Sequence, residues 1–70
     1  MKSYYFVFVA GDVEPVMHGP YKTEEKRLKV AQKFAEKEGE GNGYFWIDNI
    51  DGVLEMGTFA HNAIFNTEEV

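Results

Sequence analysis

The sequence predicts a small α+β domain of ββαββ order, in which one amphipathic helix packs on one face of a mainly antiparallel four-stranded sheet. Three observations predict this fold class: an aromatic and β-branched run near the N-terminus, a single segment with helical periodicity, and an Asp-Gly turn between two apolar runs. The chain has 70 residues, which are too few for two hydrophobic cores. We therefore expect residues 1–70 to form a single domain.

The N-terminal half is expected to supply two strands. Residues 4–10 are aromatic or β-branched apart from a final alanine, which is typical of a strand buried on both faces, so we place this strand in the centre of the sheet. Residues 14–18 can form a second strand. Pro15 has no N–H to donate, which restricts that strand to an edge. Gly19-Pro20 is expected to break the chain after it.

The helix is predicted from Thr23 to Glu38. Thr23 is a favourable N-cap residue, and two glutamates follow it in the first turn, where the helix dipole favours negative charge. Gly39 stands where a left-handed C-cap residue is expected. The apolar positions recur at the spacing of one helical face and are Leu28, Ala31, Phe34 and Ala35. Residues 40–43 are polar and glycine-rich, and we expect a surface loop there.

Asp51-Gly52 joins two apolar runs, residues 44–50 and 53–59, and so predicts a β-hairpin. In the register that we favour, Asp51-Gly52 is a two-residue type I′ turn. One face of the hairpin then carries Phe45, Ile47, Leu54 and Met56, and the other carries Tyr44, Trp46, Asp48, Glu55 and Gly57. Because the first set contains no charged side chain, we expect it to face the core.

A second register of the hairpin is possible. If residues 49–52 form a type I turn with a glycine bulge, the pairing shifts by one residue and Ile47 meets Glu55. Beyond the hairpin, residues 63–65 are apolar and can pack back on the sheet. Residues 66–70 are expected to fray.

The amino-acid composition restricts the cellular compartments in which we expect this protein. The chain has no cysteine, which excludes a disulfide framework and any thiolate metal site and favours a reducing environment. No run approaches twenty apolar residues, and the N-terminal apolar run is short and lacks a suitable cleavage site, so we predict neither a membrane span nor a signal peptide. We expect a cytoplasmic protein that does not bind a membrane.

Charge divides the chain into two halves. Residues 1–37 hold all seven basic side chains and five acidic ones, a net charge of +2. Residues 38–70 hold seven acidic side chains and no basic one, a net charge of −7, so the whole chain carries −5. Acidic residues near the hairpin do not have the twelve-residue spacing of a calcium loop. Solubility, or attraction to a basic partner surface, accounts for them better.

Five lysines are spaced along one side of the predicted helix, opposite its apolar face: Lys22, Lys26, Lys29, Lys33 and Lys37. An ordinary solvated helix face explains this basic stripe most simply. Like charges at i and i+4 cost a helix about 0.2 to 0.5 kcal/mol per pair, however, so helix stability alone does not select the pattern. A nucleic-acid-binding accessory that uses the stripe is our alternative function, although the acidic half argues against nucleic acid.

The second face of the hairpin is the candidate protein-binding surface. Its residues, together with the nearby Phe59, combine aromatic anchors with acidic side chains: Tyr44, Trp46, Asp48, Glu55 and Phe59. In a competing interpretation Trp46 covers the bare backbone of Gly57 and the C-terminal apolar residues cover the rest. A homodimer formed through an exposed sheet face is also possible.

No arrangement of residues predicts an enzyme. Only His18 and His61 can act as bases near neutral pH, Ser3 is the one serine, and no catalytic triad can be assembled. The histidines lack the spacing of a zinc site. The glycines of residues 39–43 follow a helix rather than precede one, unlike a phosphate-binding loop. We therefore expect no catalytic residue, no metal and no cofactor.

A sequence pattern over residues 19–59 resembles a group of small uncharacterised proteins from bacterial phages and other mobile elements. Its elements are Gly19-Pro20-Tyr21, Thr23-Glu24-Glu25, an alanine-bearing helix, Tyr44-Phe45-Trp46-Ile47-Asp48, Asp51-Gly52 and Met56-Gly57-Thr58-Phe59. The resemblance implies a bacterial or phage-encoded, intracellular accessory factor that binds and modulates a larger host protein. We accordingly expect a non-enzymatic interaction protein with a protein partner.

Overall fold

The computed structural model describes residues 1–65. Its elements are β1 (Lys2–Val9), β2 (Val16–Tyr21), α1 (Glu24–Glu38), β3 (Gly43–Ile50), β4 (Val53–Thr58) and a short α2 (His61–Ile64). The ββαββ order and the α+β class are confirmed, and α2 is an addition to them. The fraying predicted for residues 66–70 lies outside the described residues.

The sheet has the strand order β2-β1-β3-β4, and every neighbouring pair is antiparallel. β1 is central, as its continuous apolar run predicts, and it pairs residue for residue with β3 from Lys2↔Ile50 to Val9↔Gly43. β2 is an edge strand, as predicted. β4 forms the opposite edge.

The predicted bounds of β2 were wrong. The strand spans Val16–Tyr21, so it begins after Pro15 and continues through Gly19-Pro20, which was expected to break it. The register with β1 shifts between Tyr4 and Phe6, and the Gly19-Pro20 peptide bond is cis. An edge strand tolerates a proline because one side of it needs no ladder partner, so this dipeptide makes an irregularity in the strand instead of ending it.

Local hydrogen bonds explain where α1 begins and ends. The Thr23 hydroxyl accepts from the backbone N–H of Lys26 at 3.1 Å, which satisfies one of the free donors of the first turn. At the other end Gly39 has φ 82°, and its N–H donates to the carbonyl oxygen of Ala35. Both predicted caps are confirmed.

The hairpin has the favoured register. Ile50 pairs with Val53 directly across Asp51-Gly52, and both turn residues have positive φ, 53° and 90°. A two-residue type I′ turn needs positive φ at both positions, which is why the Asp-Gly pair is such a strong signal. The register in which Ile47 meets Glu55 is excluded, since Ile47 pairs with Met56.

The core lies between the sheet and α1. Phe6 of β1 is fully buried, and Ala31 and Ala35 of α1 let the helix approach it closely. Ile64 of α2 is also buried, and Phe65 packs on the same cluster. The prediction that residues 63–65 pack back on the sheet is therefore confirmed. Other aromatic rings of β1, β3 and α1 complete the core and include Tyr44, Phe8 and Phe34.

The predicted orientation of the hairpin was wrong. Trp46 pairs with Phe6 and with Gly57, so it shares the helix-facing side of the sheet with the buried Phe6. Because side chains alternate along a strand, the predicted core set of Phe45, Ile47, Leu54 and Met56 points to the other side. The prediction treated a charged residue as a marker of the solvent face. Asp48 is nevertheless on the covered face, because Arg27 of α1 neutralises it there.

Candidate protein-binding surface

The sheet has a face that no described element covers, and we call it the outer face. Strand pairing defines its members, because directly paired residues point to the same side. The outer face consists of Tyr5, Val7 and Val9 of β1, Met17 of β2, Phe45 and Ile47 of β3, and Leu54 and Met56 of β4, with the uncharged polar residues Ser3, Asn49 and Thr58.

The outer face is apolar and open. Met56 is 70% exposed, Leu54 66% and Met17 57%. The central residues, such as Val7 and Ile47, are half-buried only by their neighbours in the sheet. None of the eleven strand positions that form the face carries a charge. An exposed apolar patch on a small protein is a candidate interaction site.

The opposite face contains most of the residues that the sequence predicted as the protein-binding surface. Tyr44 is 6% exposed, and its hydroxyl donates to the carbonyl oxygen of Gly39 at 2.6 Å. Phe59 and Trp46 are half-buried against the core side. The exposure predicted for these three aromatic side chains is therefore wrong, because α1 and α2 lie on their side of the sheet. Their role in binding a partner stays a prediction.

Trp46 has a structural contact that explains its position. A Cβ added at Gly57 would lie 2.7 Å from Cζ2 of Trp46, so the ring rests directly on the bare backbone of that glycine. The indole Nε1 donates to the carbonyl oxygen of Thr58 at 3.3 Å. The competing interpretation, in which Trp46 covers Gly57, is confirmed.

Arg27 is the residue that the sequence analysis missed. It is 6% exposed, its guanidinium forms an ion pair with the Asp48 carboxylate, and its Nη1 also donates to the carbonyl oxygen of Ile47 at 3.4 Å. The guanidinium lies over three aromatic rings, at 5.3 Å from the centroid of Tyr4, 5.6 Å from that of Trp46 and 5.8 Å from that of Phe59. Each geometry is that of a cation–π contact.

Three members of the predicted protein-binding surface, Trp46, Asp48 and Phe59, contact Arg27 and so belong to the packing between α1 and the sheet. Asp48 and Glu55 are paired across β3 and β4, so both lie on the helix-facing side, where Asp48 is bound to Arg27 and Glu55 is exposed. A signal for Arg27 was present in the sequence. Arg27, Ala31 and Ala35 are spaced by four residues, which places the arginine on the apolar side of α1 and outside the lysine series.

The basic stripe lies where it was predicted. All five lysines, Lys22, Lys26, Lys29, Lys33 and Lys37, are exposed, while the positions between them include the buried Arg27, Ala31 and Ala35. The stripe is therefore separated from the outer face by both the helix and the sheet. Whether it binds nucleic acid stays a prediction.

The two histidines are in different environments. His18 stacks on the ring of Phe6 with a centroid distance of 5.6 Å and also contacts Phe34 at 4.9 Å, so it belongs to the core packing. His61 is exposed, with Nε2 3.0 Å from a carboxylate oxygen of Glu40. Within residues 1–65 no group of three or more His, Cys, Asp or Glu side chains is arranged to hold a metal ion.

A cleft opens at the end of the sheet beside α2. It has a volume of about 240 Å³ and is lined mainly by aromatic side chains, among them Tyr44, Phe45, Phe59, His61 and Phe65. Small-molecule sites usually have a volume of about 300 to 1,000 Å³. The cleft is smaller than this range, so it is a weaker candidate than the outer face.

Comparison of the chain with protein-family models, with curated proteins and with solved structures finds no match. Among residues 1–65, no helix combines the length and the apolar character that crossing a membrane requires. The choice of a candidate functional surface therefore rests on the geometry of the described residues alone. That geometry favours the outer face, because packing within the fold does not account for an open apolar surface.

Proposed function

We propose that this chain is a non-enzymatic protein-binding domain and that the outer face is its binding surface. The observation that carries the proposal is an uncharged apolar sheet face on which Leu54 and Met56 are about two-thirds exposed. Burying apolar surface contributes about 25 cal/mol per Å², so covering such a face provides a large favourable term for association. Its aromatic and methionine side chains are of the types that are enriched in interface cores.

The chemistry of the face favours protein over nucleic acid. Nucleic acids are bound by Lys and Arg side chains that contact phosphates, and no such side chain occurs among the strand positions of the outer face. The lysines of α1 lie on the far side of the molecule. A protein partner with an uncharged apolar surface fits the outer face better.

The resemblance to small phage and mobile-element proteins supports a wider context for this function. In that context the chain acts inside a bacterial cell as an accessory factor that binds and modulates a larger protein. The absence of cysteine is in keeping with a reducing compartment.

Two variants on the same strand test the proposal. Met56→Lys places a charge on the outer face, and Val53→Lys places one at a position of similar exposure, 62% against 70%, on the other side of β4. We expect the wild-type chain and Val53→Lys to capture the same protein from a bacterial lysate, as identified by mass spectrometry, and Met56→Lys to lose it. Equal capture by all three chains would contradict the proposal.

The basic stripe supports the alternative function, because its five lysines are all exposed, four of them on α1 and Lys22 just before the Thr23 N-cap. If the chain binds nucleic acid, mixed oligonucleotides should bind at low salt, and Lys29→Glu/Lys33→Glu should abolish that binding. We expect no measurable binding by the wild-type chain, measured by fluorescence anisotropy at about 50 mM salt, where phosphate contacts are strong.

A further inference from the structure

We propose that the partner of this domain supplies an extended segment that pairs with the free edge of β4 and adds a fifth strand to the four-stranded sheet. The segment carries apolar side chains on one side and a lysine or arginine on the other. This inference rests on the proposed function, because the added strand lies beside the outer face and holds the partner against it. Among residues 1–65, β3 is the one strand that pairs with β4.

The free edge of β4 presents backbone hydrogen-bonding groups in a regular row. The pairing with β3 is unbroken along the whole of β4. Just beyond it, the N–H of Phe59 donates to the carbonyl oxygen of Tyr44 at 3.1 Å. Successive residues of an antiparallel strand turn their backbone groups to opposite sides, so those of Leu54 and Met56 point away from β3. An extended chain is the kind of partner that satisfies N–H and C=O groups spaced in this way.

β4 lacks the features that usually keep an edge strand from pairing. Such features include proline, bulges, lysine side chains and a covering loop or helix. The other edge strand, β2, contains Pro20 and a shift of register. β4 has neither, and Val53, Leu54 and Met56 on it are each at least 62% exposed. A regular, open and largely apolar edge is suited to receive a strand.

A single charge on β4 selects the kind of segment. Glu55 is exposed on the helix-facing side of the strand and belongs to none of the ion pairs among residues 1–65. Its partner across the ladder, Asp48, is already bound to Arg27. A lysine or arginine opposite Glu55 would form a favourable cross-strand pair, whereas an acidic residue there would be repelled. The segment is therefore basic at this position.

The positions on either side of Glu55 require apolar partners. Leu54 and Met56 belong to the outer face, so apolar residues opposite them extend that face and cover part of its exposed surface. A second copy of the chain does not fit this pattern. In a regular ladder two β4 strands would bring two Glu55 side chains to the same side of the sheet, and each copy carries a net charge of −5. An apolar-basic-apolar segment of another protein fits both sides of the edge.

A capped peptide of alternating valine and lysine, long enough to span β4, is the probe. Titrated into the full chain labelled with ¹⁵N, it should shift the amide signals of Leu54 and Met56 and slow their hydrogen exchange, because those N–H groups become hydrogen-bonded. In antiparallel pairing, the valines opposite these two residues exchange both hydrogen bonds with them.

Backbone N-methylation of the peptide separates strand pairing from attraction by charge. Methylation of the valines should weaken binding by at least about tenfold, because the donors to β4 are lost. Methylation of the lysines, whose N–H groups point away from β4, should change binding by less than about twofold. Both methylated peptides keep the full positive charge. Equal binding by the two would contradict the proposal.

Two matched pairs of variants test the protein side, with circular dichroism as the check that each is folded. Met56→Pro removes the outward N–H and leaves the bonds to β3 in place, and an edge strand tolerates proline in that orientation. It should weaken peptide binding by at least about tenfold, whereas Met56→Ala, which keeps the N–H, should weaken it by less than about threefold. Equal binding by Met56→Pro and the wild-type chain would overturn the inference.

The second pair tests the charge. Glu55→Lys should weaken binding of the lysine peptide by about fivefold, since a favourable cross-strand pair becomes a repulsive one. Glu36→Lys makes the same change in net charge at an exposed position of α1 and should have an effect below about twofold. Equal effects of the two variants would show that the segment is not selected at Glu55.

The outcomes also separate this inference from the proposed function. If the peptide does not bind but Met56→Lys still loses a captured protein, the outer face remains a binding surface and strand addition is wrong. If the peptide binds at β4 but Met56→Lys keeps the captured protein, the proposed function fails while β4 still accepts a strand. If the wild-type chain is a dimer that Met56→Pro dissociates and the peptide does not bind, a second copy occupies the edge and the inference is wrong.

Discussion

The two faces of this sheet differ in a way that simple hydrophobic patterning does not anticipate. The helix-facing side carries the charged strand residues Asp48 and Glu55, and yet it forms the core. The outer face carries no charge, and yet it is open. Asp48 shows that an acidic residue on a strand can lie on the covered face when a buried cation, here Arg27, pairs with it.

The largest difference between the faces should appear in a pair of alanine substitutions on neighbouring residues. Phe6→Ala removes the fully buried ring and should cost about 3 to 5 kcal/mol of unfolding free energy, which is most of the stability of a domain of this size. Val7→Ala, on the outer face, should cost about 1 kcal/mol or less when the protein is dilute and monomeric. Urea denaturation measures both values.

Equal losses of unfolding free energy in Phe6→Ala and Val7→Ala would contradict the distinction between the two faces. A large loss for Val7→Ala that appears only at high protein concentration would instead sharpen it, since stability gained from association depends on concentration.

The next effect concerns the ion pair that permits charge on the covered face. The side chains of Arg27 and Asp48 are 7% and 13% exposed. Arg27→Met keeps most of the packing volume but leaves the carboxylate without its partner, and should cost about 3 kcal/mol. The double variant Arg27→Met/Asp48→Leu removes both charges and should recover most of that loss in the same urea titration.

If the double variant is no more stable than Arg27→Met, the ion pair is not what allows Asp48 to lie on the covered face. A single-variant loss below about 1 kcal/mol, which is the value of an exposed pair, would lead to the same conclusion.

The smallest effect concerns the contact between Trp46 and Gly57. Gly57→Ala places a methyl group about where the indole now lies and should cost about 1 to 3 kcal/mol through displacement of the ring. Gly52→Ala is a poor control because that residue has positive φ. Thr58→Ala, on the outer face of the same strand, is the better one and should change stability by about 0.5 kcal/mol or less. The tryptophan fluorescence maximum should shift to longer wavelength in Gly57→Ala alone.

Much of the fold follows from local signals. Thr23 and Gly39 define the ends of α1 through hydrogen bonds within the helix and its caps, and Asp51-Gly52 determines the hairpin register through backbone conformation. These signals involve residues that are close in the sequence. Sequence reasoning can therefore find them without knowledge of the tertiary structure.

The orientation of the hairpin depends on a distant contact. Arg27 and Asp48 are 21 positions apart and pair only after α1 has packed on the sheet. Without that pair, the uncharged set that contains Ile47 and Met56 is the better candidate for the core, and the prediction chose it. The same error placed Tyr44 and Trp46 on an open surface. The continuation of β2 through Pro20 was missed for a related reason: an edge strand tolerates a proline where its nitrogen faces away from the neighbouring strand, and only the pairing with β1 decides that.

The two edges of the sheet differ in what they allow to be added beside them. Pro20 and the register shift interrupt the ladder along β2, whereas β4 pairs with β3 without interruption from Ile50↔Val53 to Phe45↔Thr58. An extended segment from any source can therefore join the sheet in regular fashion only beside β4. The sheet can therefore be extended at one edge only. If two copies paired through their β4 edges, no regular edge would remain for a third copy. We expect the irregular edge formed by β2 to oppose open-ended fibre formation.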